Sequence, residues 1–145
     1  MIDQATQSDL TEICTLLLGM QGETSFAQLS VDLDRLVESV NYWLNSQQHC
    51  VFVDRRDGKI IGIFAGCVSD NWFSKDLTGY DIIFYIQPAH RGGIGAYKLA
   101  YHWKDWCISK GVKALRPATS TGADCGQFYE RLGFKPQGKT YLMEV

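Results

Sequence analysis

The stretch "DIIFYIQPAHRGGIGAYKL", residues 81–99, restricts the architecture more than any other part of the chain. After Asp81, the five residues Ile82 to Ile86 form a continuous apolar run, the pattern of a strand buried on both faces. Gln87-Pro88 ends that strand, because proline has no N–H to give to a ladder. A helical pattern then spans about Ile94 to Lys110, with Leu99, Trp103 and Trp106 on one side and Gly111 as its stop. Between strand and helix stand Gly92, Gly93 and Gly95. Glycine weakens a helix's first turn, so three of them need a reason. A helix start offers unpaired amides and the positive end of the helix dipole at one spot, and glycines let a bulky anion approach that backbone. Arg91 adds a positive charge. The stretch reads as a phosphate cradle; a tight turn alone would need only one glycine.

Two common phosphate loops are excluded. The segment lacks the GxxxxGK[ST] spacing. Nor is it a GxGxxG turn after an N-terminal strand with an acidic residue at the next strand end.

The surrounding pattern predicts a mixed α/β chain. Met1 and Ile2 open a short strand. Thr6 and Asp9 form a capping box for a helix carrying Leu10, Ile13, Leu16, Leu17 and Met20, which Gly19 and Gly22 break. Ser30 caps a second helix with Leu33, Leu36, Val37, Val40, Trp43 and Leu44 in one stripe. "HCVFVD" and "IIGIFAGCVS" read as a hairpin through Asp57-Gly58. "DNWFSKDLTGY" reads as a polar loop with Trp72 and Phe73. After the long helix come a strand in "VKALRPAT", a short helix in "DCGQFYERLGF", and a closing hairpin in "FKPQGKTYLMEV". The order is β-α-α-β-β-β-α-β-α-β-β, and residues 1–145 read as one domain.

Composition narrows the function. With 46% hydrophobic and 21% charged residues, 145 residues suffice for a real core. The net charge of −2 and the absence of a basic run argue against a nucleic-acid partner. No apolar stretch approaches a membrane span, and the polar N-terminus is unlike a signal peptide, so a cytoplasmic location is expected. The five cysteines show no CxxC spacing and no ligand pattern with histidine, so no metal is expected and the thiols read as inert. Cys125 is the most exposed to activation, near a helix start.

Four features together resemble the GCN5-related N-acetyltransferase (GNAT) superfamily over nearly the whole chain: "IDQATQSDL", "YIQPAHRGGIG", "FYERLGF" and the element order. The resemblance implies central strands that splay apart around acetyl-CoA. It places the diphosphate on amides within Arg91, Gly92, Gly93, Ile94, Gly95 and Ala96, and the pantetheine on main-chain groups of Phe84, Tyr85 and Ile86. Two registers of the loop are open, one beginning at His90 and one at Arg91. The asparagine often found seven residues before the signature tyrosine is Gly122 here.

That family's chemistry is direct attack of an amine on a thioester. It implies Tyr129 as general acid to the departing sulfur, since a phenol, with a pKa of about 10, can donate a hydrogen bond and then a proton. Asp81 stands where relatives place a general base; it is either that base or a solvated strand-end carboxylate. Glu23 is a further acidic candidate on the acceptor side. Trp72, Phe73 and Tyr80 make either an aromatic wall for the acceptor or a loop's own small core. The acceptor is expected to be a small-molecule or protein amine, and the resemblance allows a homodimer. The alternative is a CoA-binding module of the same fold that has lost turnover.

Overall fold

The computed structural model describes residues 1–119 and 125–145. One mixed sheet runs in the order β1 (Ile2–Gln4), β2 (His49–Arg56), β3 (Lys59–Asn71), β4 (Ser74–Ile86), β5 (Ala114–Arg116). The first four strands pair antiparallel and β5 joins β4 in parallel. Helices α1 (Leu10–Glu23) and α2 (Leu33–Asn45) cover one face; α3 (Gly95–Ser109) and α4 (Gly126–Arg131) lie on the other.

Strand alternation sorts the core into these two layers. Val51, Val53, Ile83 and Tyr85 face α1 and α2, where Ile13, Leu16, Leu17 and Val40 are buried. Cys50, Phe52, Phe64 and Ile86 face α3, where Leu99, Ala100, Trp103 and Cys107 are buried. Gly66 makes the second layer possible. A Cβ there would run into the Trp103 indole, which stacks on Phe64 with ring centroids 4.9 Å apart and donates from Nε1 to the Tyr80 carbonyl at 3.3 Å. This contact fixes α3 against the middle of β4.

Several expectations are corrected. α1 runs through Gly19 and Gly22 to Glu23, because packing offsets the roughly 1 kcal/mol that each glycine costs. α2 is capped by Asp32, whose carboxylate accepts from the Arg35 amide at 3.0 Å, rather than by Ser30. The stretch read as a polar loop over residues 70–80 is the end of one long hairpin, β3 and β4 meeting at Trp72-Phe73. The closing hairpin is absent. Residues 134–145 form neither helix nor strand, and Tyr141, Leu142, Met143 and Val145 stay exposed. Pro136 and Gly138 interrupt a segment too short to pair stably by itself.

Candidate functional site

β4 and β5 part company in the middle of β4. Their register holds for Thr78↔Ala114, Gly79↔Leu115 and Tyr80↔Arg116, and then stops. Pro117 follows immediately and cannot extend the ladder. On the other side of β4, the pairing with β3 jumps from Ala65↔Ile83 to Gly66↔Asp81, so Ile82 is an extra, bulged residue. Bulge and break coincide. From Ile82 to Ile86, β4 has β3 beside it on one edge and, among the described residues, no strand on the other.

Asp81 sits at the fork. Its Oδ1 accepts from the Ala118 amide at 3.0 Å, bridging the diverging chains. Burial pushes its carboxyl up to about 6, against the pull of the hydrogen bonds it accepts from the Ala118 amide and its own. Tyr129, on α4, lies close enough to feel that charge. Burial, then Asp81, then Cys125 raise its phenol well above the ordinary value, so the hydroxyl keeps its proton. The hydroxyl is shielded from solvent and has no hydrogen-bond partner among the described residues. A buried orphan of this kind costs about 1–3 kcal/mol, and a polar ligand atom in the fork would relieve it.

The glycine loop ends at a helix start of the expected kind. Gly92 has φ +85, a conformation that favours glycine. His90 and Arg91 donate back to Gln87 and Pro88, and Lys98 begins the helical ladder on Ile94. Among the described residues, the amides of 92 to 97 make no hydrogen bond. Six donors therefore gather at the N-terminus of a 15-residue helix, beyond the C-terminal end of β4.

A scan against family models matches residues 18–134 to the acetyltransferase (GNAT) family. The chain belongs to this family. Its cofactor is acetyl-CoA, and its members are acyltransferases. No curated protein matches the chain. Among solved structures it is similar to an integron cassette protein from the mobile metagenome of Cole Harbour Salt Marsh (19% identity, TM-score 0.81, covering 99% of this chain and 89% of that one). It is also similar to AAC(6')-Iy, solved with the bisubstrate analogue CoA-S-monomethyl-acetylneamine (14% identity, TM-score 0.76, 100% and 97% covered). A third is a ribosomal-protein-alanine N-acetyltransferase from Brucella melitensis biovar Abortus 2308 (20% identity, TM-score 0.72, 100% and 99% covered).

For a GNAT chain, this structure redistributes some expected roles. Phe84 lies on the unpartnered stretch of β4, its ring against Phe64 and Phe128. The Ile86 carbonyl, by contrast, is taken by Arg91 Nε at 2.8 Å. Arg91 turns away from the loop's amides: a second nitrogen donates to Glu23 at 2.8 Å, and the guanidinium lies 5.5 Å from the Tyr85 ring centre. Tyr85 itself donates to the other Glu23 oxygen at 2.5 Å. Glu23 is thus a strut between α1 and the loop. Trp72 and Phe73 touch each other edge to face at the hairpin tip, 96% and 71% exposed. The tip stands roughly 20 Å along β4 from Tyr80, so these three aromatics form no common wall. Tyr80 instead shares with Tyr129 the wall of a cavity of about 770 Å³ between β5, α4 and the chain beyond α4. Gly122 lies outside the described residues.

The sequence reading missed Asp54 and Arg56, which lie under the loop. A Cβ on Gly95 would strike the Asp54 carboxylate, and Arg56 reaches Gly93. One signal was legible: Cys50, Phe52 and Asp54 share a face by alternation, so a buried acid was bound to meet α3.

Proposed function

We propose that the chain transfers an acetyl group from acetyl-CoA to a primary amine by direct attack. When bound, acetyl-CoA supplies an activated thioester and a thiolate leaving group. The amides of Gly92 to Ala96 would hold its diphosphate, and main-chain groups of β4 around Phe84 would hold its pantetheine. Asp81, with a carboxyl poised near neutrality, takes the proton that an incoming ammonium must lose. Tyr129, which keeps its proton through neutral pH, is the donor for the departing sulfur. The observation carrying this reading is the unpartnered Tyr129 hydroxyl beside Asp81 at the fork of β4 and β5.

The acceptor is a primary amine of a small molecule or a protein. AAC(6')-Iy was solved with an acetylneamine analogue and the Brucella protein is named for a protein alanine, so this fold serves both classes. The cavity walled by Tyr80 and Tyr129 is the acceptor's entry in this reading.

Thiol release from acetyl-CoA over a panel of amines, with wild type beside Tyr129→Phe, tests the reading. Wild type is expected to release thiol with at least one amine. CoA binding without acylation of any amine or protein would leave only a binding module.

A further inference from the structure

The cation that meets the glycine loop comes from β2. Alternation puts Cys50, Phe52, Asp54 and Arg56 on the face under α3, while Arg55 turns to the opposite face and pairs with Asp9 at 2.8 Å and Asp3 at 3.3 Å. One Arg56 nitrogen lies 3.7 Å from where a Gly93 Cβ would stand and 3.8 Å from a Gly95 Cβ. It is therefore in van der Waals reach of two residues whose amides have no acceptor. Its side chain is 46% exposed, and its one ion pair among the described residues, to Asp54, is long at 3.9 Å. Among the described residues, none of its five guanidinium donors makes a hydrogen bond. Arg91 has the opposite disposition, held by Glu23, Ile86 and Tyr85.

We propose that Arg56, and not Arg91, supplies the positive charge for the diphosphate of coenzyme A. This rests on the acetyl-CoA reading above and adds a residue to it. Asp54 makes the assignment sharper. Its carboxylate is 4% exposed and lies against Gly95, so a buried negative charge stands directly behind the cradle. The Met1 ammonium holds Asp54 Oδ1 at 3.3 Å, while Arg56 stands 3.9 Å from Oδ2, the oxygen that faces Gly95, so Arg56 is the cation on the cradle's side of this carboxylate. A guanidinium suits the task, since its planar fork can keep Asp54 on one side and grip phosphate oxygens on the other.

The test measures binding of CoA, dephospho-CoA and pantetheine by calorimetry to wild type, Arg56→Gln and Arg56→Lys, with thermal midpoints confirming that each variant folds. Arg56→Gln is expected to bind CoA and dephospho-CoA roughly tenfold more weakly, the usual worth of one charge-assisted contact, while pantetheine binding stays the same. Arg56→Lys should regain most of the loss. Unchanged CoA binding by Arg56→Gln overturns the proposal. So does an equal loss for pantetheine, which marks a structural role, or a loss for CoA alone, which moves Arg56 to the 3′-phosphate. If wild type binds none of the three, the cofactor reading itself falls, and the role of Arg56 falls with it.

Discussion

Glu23, the last residue of α1, accepts a hydrogen bond from Arg91 at 2.8 Å, and so joins the helix layer on one face of the sheet to the loop that opens α3 on the other. The hydrogen bonds from Tyr85 and then Arg91 hold the Glu23 carboxyl below its usual range. A carboxyl lowered by folding stabilises the fold above its ordinary titration range, and that contribution fades as pH falls through the native value. Both side chains are well exposed, so the effect on global stability is small. Glu23→Gln and Arg91→Gln are each expected to lower the thermal midpoint slightly at neutral pH. The double variant should fall no further than the lower single one. Additive losses would show that the two residues act separately.

Gly93 and Gly95 look equivalent in sequence and differ in space. A Cβ at Gly93 meets only Arg56, at an ordinary 3.7 Å, whereas one at Gly95 collides with the buried Asp54 carboxylate. Gly95→Ala is expected to lose about 1–3 kcal/mol of stability, the range for overpacking, and Gly93→Ala well under 1 kcal/mol. Ligand response should follow the same order. At a hundred times its dissociation constant, CoA adds about 2.7 kcal/mol to wild-type stability. Thermal shift measurements should show that rise retained in Gly93→Ala and reduced in Gly95→Ala.

The contrast marks where sequence reasoning stopped. The strand–loop–helix unit at residues 81–110 was legible, because a continuous apolar run, a proline stop and clustered glycines are local signals. The strand is nevertheless not buried on both faces: Ile82, at the bulge, is 37% exposed. The fork was implied by the resemblance alone, and the structure fixes its place through Pro117 and the bulge at Ile82. What lay hidden depends on partners distant in the chain. Ser74, Thr78 and Gly79 look like loop residues until β3 pairs with them, and Gly19 and Gly22 look like breakers until packing holds α1 together. Arg91 looked like the phosphate cation because it is adjacent in sequence. Its capture by Glu23, 68 residues away, is a tertiary event, as is the approach of Arg56 from β2.

Tyr129→Phe should separate stability from activity. The substitution removes a buried hydroxyl that has no partner among the described residues and leaves the ring in place against Phe84, Phe128 and Phe134. Without ligand, the variant is expected to be as stable as wild type or up to about 1–2 kcal/mol more so, because no hydrogen bond is lost and one desolvated group disappears. Turnover should drop by about 10²–10⁴-fold, the usual contribution of a positioned proton donor. Urea melts and initial rates on the same preparation decide the matter. A less stable but fully active variant would mean that the tyrosine serves packing alone.

Asp81 carries the pH dependence. Burial raises its carboxyl from the usual 3.8 to about 6, so the folded chain binds this proton more tightly than the unfolded chain does. The sign follows from linkage: the favourable contribution is complete below pH 4 and is lost as pH climbs through 6, leaving the ionised form as a cost near neutrality. At 1.36 kcal/mol per unit, that cost is roughly 2–3 kcal/mol. Asp81→Asn keeps an oxygen able to accept from the Ala118 amide and carries no charge, so it should be the more stable protein at pH 8 and lose that advantage toward pH 4. Activity should move the other way. In wild type, kcat/KM is expected to rise with pH along a limb near 6, as the base ionises, and Asp81→Asn should lack the limb and fall by about 10²-fold or more. Denaturation and kinetic profiles over pH 4–8 measure both quantities. A limb that survives in the asparagine variant would assign the proton to another group.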